Sequence, residues 1–268
     1  MFHEIRAGFK AALHQIEVVS NNMSNAKTTG FKRSEAMFED LYANNFSGSE
    51  VDRGMAARVI ENKRSHIQGS MIQTKQTLDM AVSGRGMFML SPLPGTTDLA
   101  YTRDGSFSLT KDGDVIAFDG RALLDVNKEP IKVPMQDSEG RILAGLEVDY
   151  TGKVLVAYGS GSQSPIAQVG LAAFDNPGAL KAGGQGQFFE TAEASMVSNV
   201  GWQDRSAGFG RIESGYLEGS NADITEELIL LMRAQQAFSA GSRLMQAETD
   251  ITKKFLDETA GLREETKS

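Results

Sequence analysis

The chain has 268 residues, 23 % of them charged, and its 27 basic against 35 acidic side chains leave a formal net charge of −8; this acidic surplus argues against a free-standing DNA or RNA binder. With no cysteine it has no disulfide, thiolate metal site, iron–sulfur cluster or cysteine nucleophile. Its 40 % hydrophobic content supports a real core, and 28 glycines beside 14 Phe, 5 Tyr and 1 Trp suit turns and strands better than a pure helix bundle.

The first segment reads as a helix. Phe2, Ile5, Phe9, Ala12, Ile16, Val19 and Met23 alternate spacings of three and four, an a/d stripe held for three heptads. Glu4, Arg6 and Lys10 interrupt its apolar run, so no cleaved secretory signal is expected. The helix should stop within 21–27, where Asn21, Asn22, Ser24 and Asn25 compete for backbone hydrogen bonds and Gly30 permits a left-handed turn.

The middle reads as β. Asp104-Gly105, Asp112-Gly113 and Asp119-Gly120, flanked by Phe107, Leu109, Val115, Ile116, Phe118 and Leu123, are a run of hairpin signals. Glu139-Gly140 and Gly152 precede further apolar runs over 142–146 and 154–156. Residues 46–53 and 195–210 look like irregular connectors with modest β content.

The last segment is helical again. Asp223 is a good N-cap with Glu226 three residues on, as in a capping box. From Ile224 to about Leu256 there is no proline and one glycine, Gly241. Leu228, Leu231, Phe238, Met245 and Leu256 form one seam, with Leu230, Ala234, Ala237, Leu244, Ile251 and Phe255 beside it. Two adjacent apolar seams ask for a bundle or a multi-subunit wall.

The expected fold class is α+β: N- and C-terminal helices paired as a coiled-coil-like wall, with a central antiparallel β domain. The expected divisions are a helix over 1–30, a connector with partial β over 31–77, the β domain over 78–190, a connector over 191–220, and the second helix with a polar tail over 221–268. Phe2, Ile5, Phe9, Ile16, Val19, Leu228, Leu231, Phe238 and Met245 are the expected self-assembly residues.

Chemistry-bearing patterns are sparse. His3, His14 and His66 have no metal spacing, and neither Gly84-Arg85-Gly86 nor Gly183-Gly184-Gln185-Gly186 completes a nucleotide fingerprint. Asp104, Asp112 and Asp114 lack the ligand spacing of a calcium loop and suit turns better. Lys32-Arg33, with Lys27 nearby, reads as a solvated basic face. No catalytic residue, cofactor, metal, nucleic acid or small-molecule substrate is expected.

At Ser20-Asn21-Asn22-Met23-Ser24-Asn25-Ala26-Lys27-Thr28-Thr29-Gly30-Phe31-Lys32-Arg33 the chain resembles the N-terminal signature of bacterial flagellar rod and hook proteins, an Asn-Asn-x-x-Asn run followed by Thr-x-Gly-Phe/Tyr-Lys. Three more blocks agree, in the family's order: 78–88, 100–107, and Gly215-Tyr216-Leu217-Glu218-Gly219-Ser220-Asn221-Ala222-Asp223 with its continuation through Ala234-Gln235-Gln236-Ala237-Phe238. The signature residues are thus Asn21, Asn22, Asn25, Thr29, Gly30, Phe31, Gly215, Glu218, Ser220 and Asn221. The resemblance implies a structural subunit of the flagellar axial structure, located in the basal body and exported uncleaved through the type III apparatus. It implies helical self-assembly around an export channel and transmission of torque. The implied partners are copies of the chain, other rod and hook proteins, the export apparatus and the outer bushing rings. Residues 36–41 and 101–107 look most like the distal-rod branch; the proximal-rod and short hook-type branches stay open. Met23-Ser24 replaces the family's commoner Leu-Ala, and polar residues continue past the last apolar turn through Arg263, Glu264 and Glu265.

Two rival classes differ in cheap observations. An enzyme would show turnover in an activity screen. An amphipathic membrane-surface protein would co-sediment with liposomes, but Arg6 and Lys10 are balanced by Glu4 and Glu17 on the first helix, where a basic polar face is wanted.

Overall fold

A computed structural model describes residues 2–42, 54–92, 98–137, 139–159, 161, 163–194, 196–198 and 209–265. The connector expected over 46–53 lies outside these residues, as do 195 and 199–208 of the second. The chain divides into two compact units, Met1–Ser24 with Ser34–Arg64 and Asp223–Ser268, and Asn25–Arg33 with Ser65–Ala222.

Unit 1 joins both helical ends to a β-ribbon. Helix α1 (Phe2–Ser24) follows the heptad stripe and stops within the predicted window, where the Ser24 hydroxyl donates to the Asn21 carbonyl at 2.9 Å. Helix α2 (Ile224–Glu265) runs 42 residues, past the expected end near Leu256, because nothing from Asp257 to Glu265 but Gly261 disfavours a helix. Its start is capped as read: the Asp223 carboxylate accepts the Thr225 N–H at 2.7 Å. Hydrogen bonds from the Thr225 and Glu226 N–H groups hold its pKa below the usual value. Strands β1 (Ser34–Tyr42) and β2 (Gly54–Arg64) pair antiparallel, Ser34 opposite Arg64 and Leu41 opposite Ala56, with register shifts at Ala36/Phe38 and Leu41/Tyr42. This ribbon lies within the segment read as a connector with partial β.

Unit 2 is antiparallel β. A six-stranded sheet has the order Lys181–Gly184, Gln187–Phe189, Ala100–Thr102, Met87–Leu90, Leu171–Phe174, Met196–Ser198. A three-stranded sheet is built from Leu143–Val148, Lys153–Tyr158 and Ser164–Gln168. Two core clusters form because Met87–Leu90 is apolar at every position. Alternation sends Phe88 and Leu90 into one cluster and Met87 and Met89 into the other. Phe88 packs edge-on to Phe107 at 5.2 Å in the first, Tyr101 edge-on to Phe174 at 4.9 Å in the second.

Two of the three Asp-Gly signals make hairpin turns: Gly113 N–H bonds the Thr110 carbonyl and Gly120 N–H the Ala117 carbonyl. The first does not. The Asp104 carboxylate folds back on the Ser106 N–H and hydroxyl at 3.1 and 2.8 Å, and the Gly105 carbonyl takes the Met80 N–H. A tertiary contact uses the backbone that a two-residue hairpin would need. Among the described residues no helix is long and apolar enough to cross a membrane.

Candidate functional site

In unit 1 the helices run alongside each other in opposite senses. The Phe9 and Phe238 rings stand 4.3 Å apart, and Asn22 meets Glu227. Ile5, Phe9, Ile16, Leu231, Phe238 and Met245 are half-buried, and Val19 and Ala234 buried. Phe2 opens α1, but its side chain lies outside the described residues. Leu228 departs from its expected seam and is 44 % exposed. At 100° per residue it sits roughly 80° round the helix from Phe238. Ile229, Met232, Leu244 and Ile251 are exposed too, Met232 at 59 %. The apolar surface of α2 is therefore wider than the strip α1 covers. Phe9 meeting Phe238 and Asn22 meeting Glu227 also put the start of α1 level with about residue 246, so about 20 residues of α2 run on beyond it.

Asn22 is the joint of unit 1. Its amide nitrogen donates to the Ser34 carbonyl at 2.8 Å and to the Glu227 carboxylate at 3.1 Å, and its amide oxygen accepts the Ser34 N–H at 2.9 Å. One buried carboxamide thus ties α1, β1 and the first turn of α2. Asn21 contributes its carbonyl to the helix end, and the Asn25 side chain accepts the Thr28 hydroxyl at 3.2 Å.

The remaining signature residues meet inside unit 2. The Glu218 carboxylate is fully buried. One oxygen accepts Lys32 Nζ at 2.6 Å and the Gly69 N–H at 3.0 Å; the other accepts Arg103 Nη1 at 3.0 Å. Lys32 Nζ also donates to the Ile67 carbonyl at 2.8 Å, and Arg103 to the Val82 and Gly84 carbonyls. Burial pulls Lys32 below its ordinary pKa while the Glu218 charge opposes that, and Arg103 shows the same pair of causes. Around this node the Gly30 N–H bonds the Glu218 carbonyl at 2.7 Å and the Thr29 hydroxyl bonds Asp104 at 2.9 Å. The Phe31 carbonyl accepts the Asn221 N–H, and the Asn221 carboxamide accepts the Arg33 N–H at 2.7 Å while donating to the Ser65 and Ile67 carbonyls. Gly215 turns at φ +78°, and the Ser220 hydroxyl accepts the Ala222 N–H.

The solvated reading of Lys32 is overturned: its side chain is 1 % exposed. The local basic cluster misled because the compensating carboxylate is 186 residues away. Arg103 and Glu227 were missed as well. Nothing local marks them as buried: Arg103 stands between Thr102 and Asp104, and Glu227 beside Glu226. Among the described residues no three His, Asp or Glu side chains gather as a metal site, and the Lys32, Arg103 and Glu218 charges are spent on one another.

Three family profiles match in chain order. "Flagella basal body rod protein" covers 7–32, "Flagellar hook protein FlgE/F/G D1 domain" 81–156 and "Flagellar basal body rod FlgEFG protein C-terminal" 213–257. The flagellar basal-body rod protein FlgG of Agrobacterium fabrum is 30 % identical over 260 residues, 91 % of this chain and 93 % of that one. The chain belongs to the flagellar rod and hook protein family. FlgG of Borreliella burgdorferi is also 30 % identical, over 259 residues (91 % and 93 % of the two chains). FlgG of Bacillus subtilis is 27 % identical over 264 residues (94 % and 96 %). Within the family the chain is most like FlgG, the distal rod protein, and it is a structural subunit of the flagellar rod in the basal body. Each profile contributes one member of the buried node: Lys32, Arg103 and Glu218.

Proposed function

We propose that this rod subunit polymerises helically through α1 and α2, which pair with the same helices of neighbouring copies as a coiled-coil-like wall around an export channel. Phe2, Ile5, Phe9, Ile16, Val19, Leu228, Leu231, Phe238 and Met245 are its assembly residues, with Ile229, Met232, Leu244 and Ile251 added by their exposure. The role is mechanical, torque transmission rather than catalysis. Other rod and hook proteins, the export apparatus and the outer bushing rings are its partners, and export proceeds without a cleaved signal.

The outward apolar face of α2 carries this reading. Covering each large aliphatic side chain is worth about 1.5–3 kcal/mol, and an amphipathic helix gains most of its stability from packing. The test is Met232→Asp, at a position where the side chain is mostly in water and the fold has little to lose. Wild-type chain should sediment as larger species with rising concentration. The variant should stay monomeric, with the near-ultraviolet circular dichroism of its β unit unchanged. Equal assembly of the two, or a wild-type chain that remains monomeric throughout, overturns the proposal.

A further inference from the structure

The flanking segments of unit 2 pair with each other and not with its main sheet. Met71–Gln73 pairs with Tyr216–Glu218, and Met80–Ser83 with Arg211–Ser214, each as a two-stranded sheet. The six-stranded sheet instead draws all its strands from 87–198. We propose that 28–33, 69–84 and 210–222 form one strap that closes last over an already folded sheet, with Glu218 as its latch.

The argument rests on sequence separation and on charge. The latch bonds of Glu218 reach Arg103 across 115 residues, Gly69 across 149 and Lys32 across 186. Closing long loops costs entropy before any contact repays it, so such bonds form late. The Gly215 N–H to Asp79 and Gly219 N–H to Ser70 bonds, both at 2.7 Å, belong to the same late set. Charge makes the closure all-or-none. Lys32 and Arg103 are 1 % and 7 % exposed, and among the described residues Glu218 is the one carboxylate bonded to both. Until it arrives, burying them would leave one ammonium and one guanidinium charge uncompensated, which is strongly unfavourable. The cations therefore stay in water and the strap stays open. Once Glu218 enters, the 30s segment, the two short strands and the C-terminal hairpin close together. The chain must be complete to about residue 222 before the body can lock.

Native-state hydrogen exchange on the full-length chain, across low denaturant, tests this. Amides of Met71–Gln73, Met80–Ser83, Arg211–Ser214 and Gly30 should share one opening, distinct from and easier than that of Met87–Leu90, Ala100–Thr102 and Gln187–Phe189. Glu218→Gln should speed exchange of the strap amides on the order of 100-fold, the scale of a broken buried charge pair, and, because the sheet opens only once the strap is open, speed the sheet amides by the same factor while leaving the gap between the two openings unchanged. A single opening shared by strap and sheet in the wild type refutes the strap whatever the variant does. A Glu218→Gln chain whose strap amides exchange no faster than those of the wild type, or whose two openings merge into one, refutes the latch.

Discussion

At Gly30 the backbone takes φ +64°, and an added Cβ would press on the main chain of Arg103 and Asp104, within 2.6 Å of the Arg103 carbonyl carbon. Gly120 also has a positive φ, +87°, but open space around its missing side chain. The two separate conformational strain from collision. Gly120→Ala should cost about 1 kcal/mol from the left-handed conformation alone. Gly30→Ala should cost several-fold more, since the neighbour that must yield is backbone at the buried node; urea melts of the two variants decide it. A second prediction concerns Tyr101, which is 1 % exposed. Burial, with the Glu190 carboxylate beside it, pushes its phenol up to about 12. The folded chain keeps a proton that the unfolded chain gives up from about pH 10, so this contribution is whole below pH 10 and lost as the pH rises towards 12. The slope is at most about 1.4 kcal/mol per pH unit. Lys32 acts with opposite sign below its ordinary value of 10.5, because burial lowers it. Tyr101→Phe isolates the phenol: the stability difference between it and the wild type should shift steadily over pH 10–12, and a flat difference contradicts the assignment.

Among the elements, what is local was legible and what is paired at a distance was not. The 3–4 spacing of α1 and the Asp223 cap of α2 are decided within a turn or two of helix, and both stand where the pattern placed them. Periodicity fixes that α2 has a broad apolar arc, but not which part of it a partner takes. Hence the spacing puts Leu228 on one seam with Phe238, although only Phe238 faces α1. The Asp104-Gly105 signal gave way to Met80, a contact that no turn statistics contain. Lys32 is the sharpest case. Three nearby positive charges in an acidic chain look solvated, and only the fold reveals the carboxylate that buries one of them. The family motif marked Glu218 and Asn221 as important, and the structure supplies the reason: they close long-range bonds.

For the molecule as a whole, the two units differ in what completes them. Unit 2 owns both core clusters, with Phe88, Leu90, Val133 and Val156 all fully buried. Among its described residues unit 1 has no comparable core; its large apolar side chains on α2 remain substantially in water. A species that buries only a folded surface raises the stability of the part bearing it, by RT ln(1 + [L]/Kd), and a second copy of the chain is such a species. If copies cover α2, the melting of unit 1 must rise with protein concentration while that of unit 2 does not. Scanning calorimetry over a hundredfold concentration range, with unit 1 followed by helical circular dichroism and unit 2 by the near-ultraviolet band, should therefore show one transition moving upward and one standing still. Occupancy of 100 Kd corresponds to about 2.7 kcal/mol, enough to move the midpoint of a small unit by several degrees. Met232→Asp should abolish the movement while leaving the stationary transition in place. Two transitions that move together would mean that association stabilises the β unit directly, and two that both stand still would mean that the apolar arc of α2 has no partner among its own kind.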